Sequence, residues 1–231
     1  EQRMSTIAER LDAVRTRIRE AAQRAGRPES SVRLVAVSKT KPPEAIREAY
    51  AAGQREFGEN YVQELSEKAE ALADLPGISW HMIGHLQRNK AKRVVELASW
   101  IHTVDSSRLA QELGKRAIAC GRSALPVLVE VNVGGESQKS GCAPGELGAL
   151  LETVEGVAGL RLAGLMTVPP HTDDPAGALP FFERLRAARD AFGGAARLPE
   201  LSMGMTHDLE QAIVAGATWV RIGTAIFGER R

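Results

Sequence analysis

The spacing of hydrophobic positions changes after the first thirty residues or so. Ile7, Leu11, Val14 and Ile18 recur at helical spacing among arginines and glutamates. That pattern predicts an amphipathic helix with one buried stripe, ended near Gly26, Arg27 and Pro28. Such a stripe also suits a membrane surface, but packing against the rest of the chain is the simpler reading. Beyond it, short apolar runs alternate with amphipathic segments. Residues 32–38 form an apolar, β-branched run, followed by a helix over 43–52 that Gly53 closes. Further strands are predicted at 54–58, 79–85, 100–104, 126–133, 160–168, 201–203 and 219–222. The intervening helices cover 61–73, 90–98, a segment capped by Asp105, Ser106 and Ser107, one opened by Ala143, Pro144 and Gly145, then 177–192 and 208–215.

Continuous apolar strands alternating with crossover helices imply parallel pairing, because each helix covers a face of the sheet. Eight such units predict an α/β fold, a (β/α)8 TIM barrel with an extra N-terminal helix. The whole of 1–231 is read as one domain, with residues 1–27 packed on it. An open doubly wound sheet satisfies the same pattern. The 231 residues suffice for one large barrel. Thirty basic residues against twenty-nine acidic ones leave the chain nearly neutral, so no general grip on nucleic acid or an anionic membrane is expected. Cys120 and Cys142 lack metal-ligand spacing, which fits a reducing cytoplasm and no metal. No apolar run approaches a membrane span, and no leader pattern is read at the start.

In a barrel of this kind, functional residues lie where strands end and βα loops begin. Lys39 follows the apolar run Leu34-Val35-Ala36-Val37 with only Ser38 between, so it emerges from an apolar core that disfavours its ammonium form. A neutral amine is the nucleophile that Schiff-base chemistry with a carbonyl requires. A lysine snorkelling to solvent is the plainer alternative. Lys41 is a rival, but it precedes Pro42 in the turn and is expected to point outward. The loops after strands seven and eight commonly bind phosphate in barrels. Here they offer Ser202, Gly204 and Thr206, then Gly223 and Thr224, with Thr206 placed to cap the next helix. Arg221, between Val220 and Ile222, is placed to face a ring nitrogen, where its charge would oppose protonation. Asn60 and His85 could hydrogen-bond near that ring, and Met166 could form an apolar wall. His81, beside Met82, is read as a core contact.

Several of these segments resemble motifs of the pyridoxal phosphate homeostasis proteins, whose fold is similar to the N-terminal barrel of alanine racemase. They are Val37-Ser38-Lys39-Thr40, Phe57-Gly58-Glu59-Asn60-Tyr61-Val62-Gln63-Glu64 and His81-Met82-Ile83-Gly84-His85-Leu86-Gln87, then Gly164-Leu165-Met166-Thr167, Leu201-Ser202-Met203-Gly204-Met205 and Val220-Arg221-Ile222-Gly223-Thr224-Ala225-Ile226-Phe227-Gly228. The resemblance runs in order from about Val32 to Gly228. It implies pyridoxal 5′-phosphate as cofactor, bound as a Schiff base on Lys39. It further implies that Ser202, Gly204, Gly223 and Thr224 hold the phosphate, with Arg221 near the ring nitrogen and Asn60, His85 and Met166 lining the pocket. Thr206 stands where many relatives have serine, which keeps the hydroxyl.

Two functions fit these residues. One is a carrier that buffers the cofactor and delivers it to pyridoxal phosphate-dependent apoenzymes without turnover. The other is a racemase-like enzyme, which needs acid–base groups on both faces of the substrate. Alanine racemases take one of these, a tyrosine, from a second domain. The chain ends soon after Gly228, so that domain is not expected, and Tyr61 is the one conceivable substitute. The carrier reading and a monomer are therefore preferred. A barrel binding some other phosphate metabolite without a covalent link is the third reading.

Overall fold

In the computed structural model, which describes residues 5–229, every strand pairs in parallel with its sequence neighbour, and the last pairs with the first. The strands are β1 (Arg33–Val37), β2 (Glu56–Glu59), β3 (Ser79–Met82), β4 (Trp100–Val104), β5 (Ala124–Glu130), β6 (Gly159–Met166), β7 (Glu200–Ser202) and β8 (Trp219–Ile222). Leu34 opposite Val220 and Ala36 opposite Ile222 close the barrel, which excludes the open sheet. The helices are α1 (Ile7–Arg24), α2 (Pro43–Ala51), α3 (Val62–Ala71), α4 (Ala91–Leu97), α5 (Ser107–Ala119), α6 (Leu147–Glu155), α7 (Leu179–Ala191), α8 (Gly194–Arg197), α9 (Leu209–Val214) and α10 (Thr224–Phe227). Residues 1–4 and 230–231, which the sequence reading places in the same domain, lie outside the described residues.

Local chemistry explains most boundaries. Ser106 accepts the Leu109 N–H and opens α5, as the cap cluster predicts. Thr6 and Glu9 form a reciprocal capping box at the start of α1. The third strand stops at Met82 instead of 85. A Cβ on Gly84 would stand 2.1 Å from the Asn60 carbonyl oxygen, and Thr103 donates a 2.7 Å hydrogen bond to the Gly84 carbonyl. The chain is thus drawn out of the sheet at Gly84, and His85 is carried into the loop. The short α8 and α10 were not foreseen. Each is a single turn, too brief for hydrophobic periodicity to reveal.

Strand residues divide between two layers, as period-2 alternation requires. Leu34, Ala36, Phe57, Met82, Leu201, Val220 and Ile222 join the apolar layer between sheet and helices. The alternating Val35, Gly58, His81, Ser202, Trp219 and Arg221 fall outside that layer. His102 of β4 reaches Ser202 of β7 at 2.8 Å. Those strands are not neighbours, so both side chains lie in the barrel interior. A barrel core is usually filled by branched apolar side chains; this one carries a polar column.

Helix α1 buries Leu11, Val14, Ile18, Ala21 and Ala22 and packs on α2, α9 and α10. Its arginines reach further. Arg10 Nε donates to the Ile226 carbonyl at 2.7 Å, and Arg17 donates to the Thr206 carbonyl at 2.9 Å while pairing with Glu210 at 2.8 Å. α1 therefore braces the segments that follow β7 and β8. Leu11→Ala should lower the unfolding free energy by about 3 kcal/mol, the usual cost of truncating a buried leucine. Asp12→Ala, on the exposed side, should stay within about 0.5 kcal/mol of the parent in the same denaturant titration.

Candidate functional site

A cavity of about 430 Å³ opens where the strands end. Val37, Ile83 and Val168 give it apolar walls, and Lys39, Asn60 and Arg221 supply nitrogen and oxygen groups. Met205, Thr206 and His207 enter from the loop after β7, Gly223 and Thr224 from the end of β8. Lys39, Asn60, Arg221, Gly223 and Thr224 thus meet in one cavity, as the sequence predicts. Ser202, Gly204, Met166 and His85 are not among its lining residues. Ser202 lies beneath the floor, bonded to Arg221 and His102. Gly204 is buried with φ near +97°, and a Cβ there would meet Ala212 at 2.6 Å, so it turns the chain. Met166 is fully buried at the end of β6, and His85 is exposed, its Nδ1 3.6 Å from Asp105.

The segment carrying Lys39 is held on both sides. Ser38 donates to Glu59 at 2.6 Å, and the buried Lys68 ammonium donates to the Ser38 carbonyl, to Glu59 and to Glu64 at 2.6, 2.6 and 2.8 Å. Glu64 also accepts the Thr40 N–H at 2.8 Å. Thr40 has a left-handed φ of 64°, an uncommon conformation for a β-branched residue. Burial raises the Glu59 carboxyl, outweighing Lys68 and Ser38. Burial acts on Glu64 in the same direction, but the bonds from Lys68 and Thr40, with the charges of Lys68 and Lys39, bring it below the usual range.

Two sequence expectations are corrected here. Lys41 lines the cavity as well, because the left-handed Thr40 and the Lys41 N–H to Ser38 carbonyl bond turn the chain back. Its ammonium donates to the Glu229 carbonyl at 2.9 Å. Thr206 does not cap α9. Its hydroxyl accepts the Ala225 N–H at 3.3 Å and ties the seventh loop to α10, while Asp208 accepts the Met205 N–H.

Arg221 is buried and fixed from below. It donates to Ser202 Oγ at 2.7 Å and to the Thr167 carbonyl at 3.1 Å. Burial lowers its pKa to about 10, against the pull of Glu130 and Asp208, so it stays cationic at neutral pH. Glu130, at the end of β5, is pushed up to about 7 by burial and by Asp105, with Arg221 opposing. Asn60, which follows β2 and lines the cavity, has its Oδ1 buried without a hydrogen-bond partner among the described residues.

Comparison with known proteins agrees with this fold. The family model for the N-terminal domain of alanine racemase matches residues 10–231. A pyridoxal phosphate homeostasis protein of Pseudomonas aeruginosa is 53% identical over 98% of this chain and 97% of its own length. That of Aquifex aeolicus is 47% identical over 96% and 98%. The chain belongs to the pyridoxal phosphate homeostasis protein family. PipY of Synechococcus elongatus, solved with pyridoxal phosphate bound, is 41% identical with a TM-score of 0.85, covering 96% of this chain and all of its own. An alanine racemase of Clostridium difficile shares the fold at 14% identity and a TM-score of 0.73, and the chain spans 56% of it.

Within this family fold, the residues that sequence reasoning missed are Lys68, Val37, Ile83, Val168, Met205 and His207. Only Lys68 had a signal: Glu64 and Lys68 stand at i and i+4 on α3, but such pairs are usually solvated. Lys68→Met should cost about 3 kcal/mol by leaving buried carboxylates without their cation. Thermal melts read this directly. Glu130 makes a pH-dependent prediction. Its folded pKa is raised, so its contribution is fully present below its unfolded pKa and lost as pH rises through about 7. Glu130→Gln should match the parent in acid and exceed it by up to about 3 kcal/mol above that pH. A constant difference across the titration would contradict the assignment.

Proposed function

We propose that this chain holds pyridoxal 5′-phosphate in the cavity, as a Schiff base on Lys39, and acts as a carrier rather than an enzyme. The observation that carries this reading is Lys39 on the wall of a cavity that also gathers Arg221, Gly223 and Thr224. The residues fit the group. The volume falls within the range of small-molecule sites, about 300–1,000 Å³. Gly223 lines the cavity and packs tightly on β1, since a Cβ there would press on the Val37 carbonyl at 3.1 Å. The Thr206 and Thr224 hydroxyls, with the braced seventh and eighth loops, suit a phosphate. Asn60 Oδ1 is an acceptor awaiting a donor. The cofactor supplies an aldehyde for covalent capture and a pyridine ring that stabilises carbanions when protonated.

Arg221 argues for storage over turnover. Its lasting charge opposes protonation of a ring nitrogen beside it and so weakens the electron sink. Tyr50 donates to the Pro76 carbonyl, and Tyr61 is 60% exposed, so neither lies in the cavity where a second acid–base group would be needed. The homeostasis proteins to which the chain is similar support the same role. The recipients are pyridoxal phosphate-dependent apoenzymes, the carrier is a monomer, and the free thiols of Cys120 and Cys142 support a cytoplasmic setting. Among the described residues, no helix is long and apolar enough to cross a membrane.

An absorbance spectrum of the purified protein, before and after borohydride, followed by peptide mapping, tests this. The expected result is a visible band that reduction fixes on the Lys39 peptide, absent in Lys39→Ala and kept in Lys41→Ala. Amino-acid turnover should stay at background. A protein that remains colourless with added pyridoxal phosphate would overturn the reading, as would an intact band in Lys39→Ala.

A further inference from the structure

Beneath the cavity, one chain of hydrogen bonds runs through the barrel core. Arg221 donates to Ser202 Oγ at 2.7 Å, and Ser202 Oγ lies 2.8 Å from His102 Nδ1. His102 Nε2 lies 2.8 Å from His81 Nδ1, and His81 Nε2 lies 2.6 Å from Glu56 Oε2. His81, His102 and Ser202 are completely buried, whereas Glu56, at the start of β2, is about one-third exposed at the opposite end of the barrel. Trp100 stacks on His81, Trp219 meets it edge-on, and Arg33 lies 3.9 Å over Trp219. The middle of the column is therefore shielded from solvent, where hydrogen bonds are strong and unpaired groups are costly.

Its polarity follows from donor chemistry. A guanidinium only donates. The Ser202 oxygen accepts from Arg221. At the other end the Glu56 carboxylate, whose pKa lies below the usual range although burial opposes this, can only accept. A neutral His81 must then donate through Nε2 and accept at Nδ1, which leaves the Ser202 proton directed to His102 Nδ1. A neutral His102 then carries its hydrogen on Nε2 and donates to His81 Nδ1. His81 likewise carries Nε2–H and donates to the Glu56 carboxylate. Burial, with His81, Arg221 and Arg33 nearby, keeps His102 neutral. Burial also lowers His81, with Glu56 partly opposing.

We propose that His81, His102 and Ser202 are positioning residues forming a one-way relay from Arg221 to Glu56, which fixes the Arg221 guanidinium in a single orientation toward the cavity. Two histidines occupy core positions that branched apolar residues would fill more simply, and each is satisfied only in this one arrangement. The consequence for cofactor binding rests on the carrier reading; the consequence for Arg221 itself does not.

The contrast between His102→Gln and His102→Phe tests the relay. Glutamine can accept from Ser202 through its carbonyl and donate to His81 through its amide, preserving the polarity; phenylalanine can do neither. Nitrogen-15 NMR of the cofactor-free protein at neutral pH should show both rings protonated on Nε2. It should also show resolved, slowly exchanging Arg221 guanidinium signals in the parent and in His102→Gln, averaged in His102→Phe. Ser202→Ala, a smaller change, should average them too. Pyridoxal phosphate should bind about tenfold more weakly to His102→Phe and shift its visible band, with His102→Gln within about threefold of the parent, the scale of one hydrogen bond to a charged group. Nδ1–H on His102, or unchanged Arg221 signals in both His102→Phe and Ser202→Ala, would overturn the relay. A parent that takes no cofactor but shows the stated tautomers and signals would sink the carrier reading and leave the relay standing.

Discussion

Pairing of β1 with β8 brings the two ends of the barrel sequence side by side, and everything at the mouth depends on that seam. Leu34 faces Val220 across it and Ala36 faces Ile222. Within three residues of the last pair, the chain delivers Lys39 after β1 and Gly223 and Thr224 after β8 into the same cavity. The parallel arrangement matters as much as the closure. Because all eight strands run the same way, their C-terminal ends share one rim, and polar residues scattered through the sequence become neighbours.

That rim is costly to polarise, and the structure offsets part of the cost by pairing its two buried cations. Lys68 bridges two carboxylates and a carbonyl behind Lys39, and Arg221 is bonded to a hydroxyl and a carbonyl. The two devices differ in kind. The Lys68 cluster is an ion network that holds backbone in an unusual conformation at Thr40. The Arg221 column uses neutral rings and a hydroxyl, so it delivers direction without adding charge to the core.

Much of this was legible in the sequence. Apolar runs separated by amphipathic helices led to the barrel, and Lys39 stood out because it comes just after four apolar residues and Ser38. The glycines after the last two strands pointed to loops that enter the cavity. What escaped were features set by distant partners. Lys68 looks like an ordinary surface lysine until Ser38 and Glu59, from other strands, fold over it. His81 and His102 meet only because β3 and β4 pair, and Ser202 joins from across the barrel. Lys41 was misjudged because the left-handed Thr40 reverses the chain, which local propensity argues against. Thr206 has capping chemistry, yet the Ala225 N–H of a later segment claims its hydroxyl.

The arginines of α1 carry a consequence for how the molecule is assembled. Arg10 and Arg17 grip Ile226, Thr206 and Glu210, so the earliest helix is locked to surfaces made from the latest segments. During synthesis α1 emerges with only α2 early enough to cover part of its amphipathic stripe, and the rest stays bare until α9 and α10 are made. Contacts of such long sequence separation make ring closure slow and cooperative. The loops after the seventh and eighth strands are made late, so a partly made chain has Lys39 but lacks Thr206, Gly223 and Thr224 to complete the cavity.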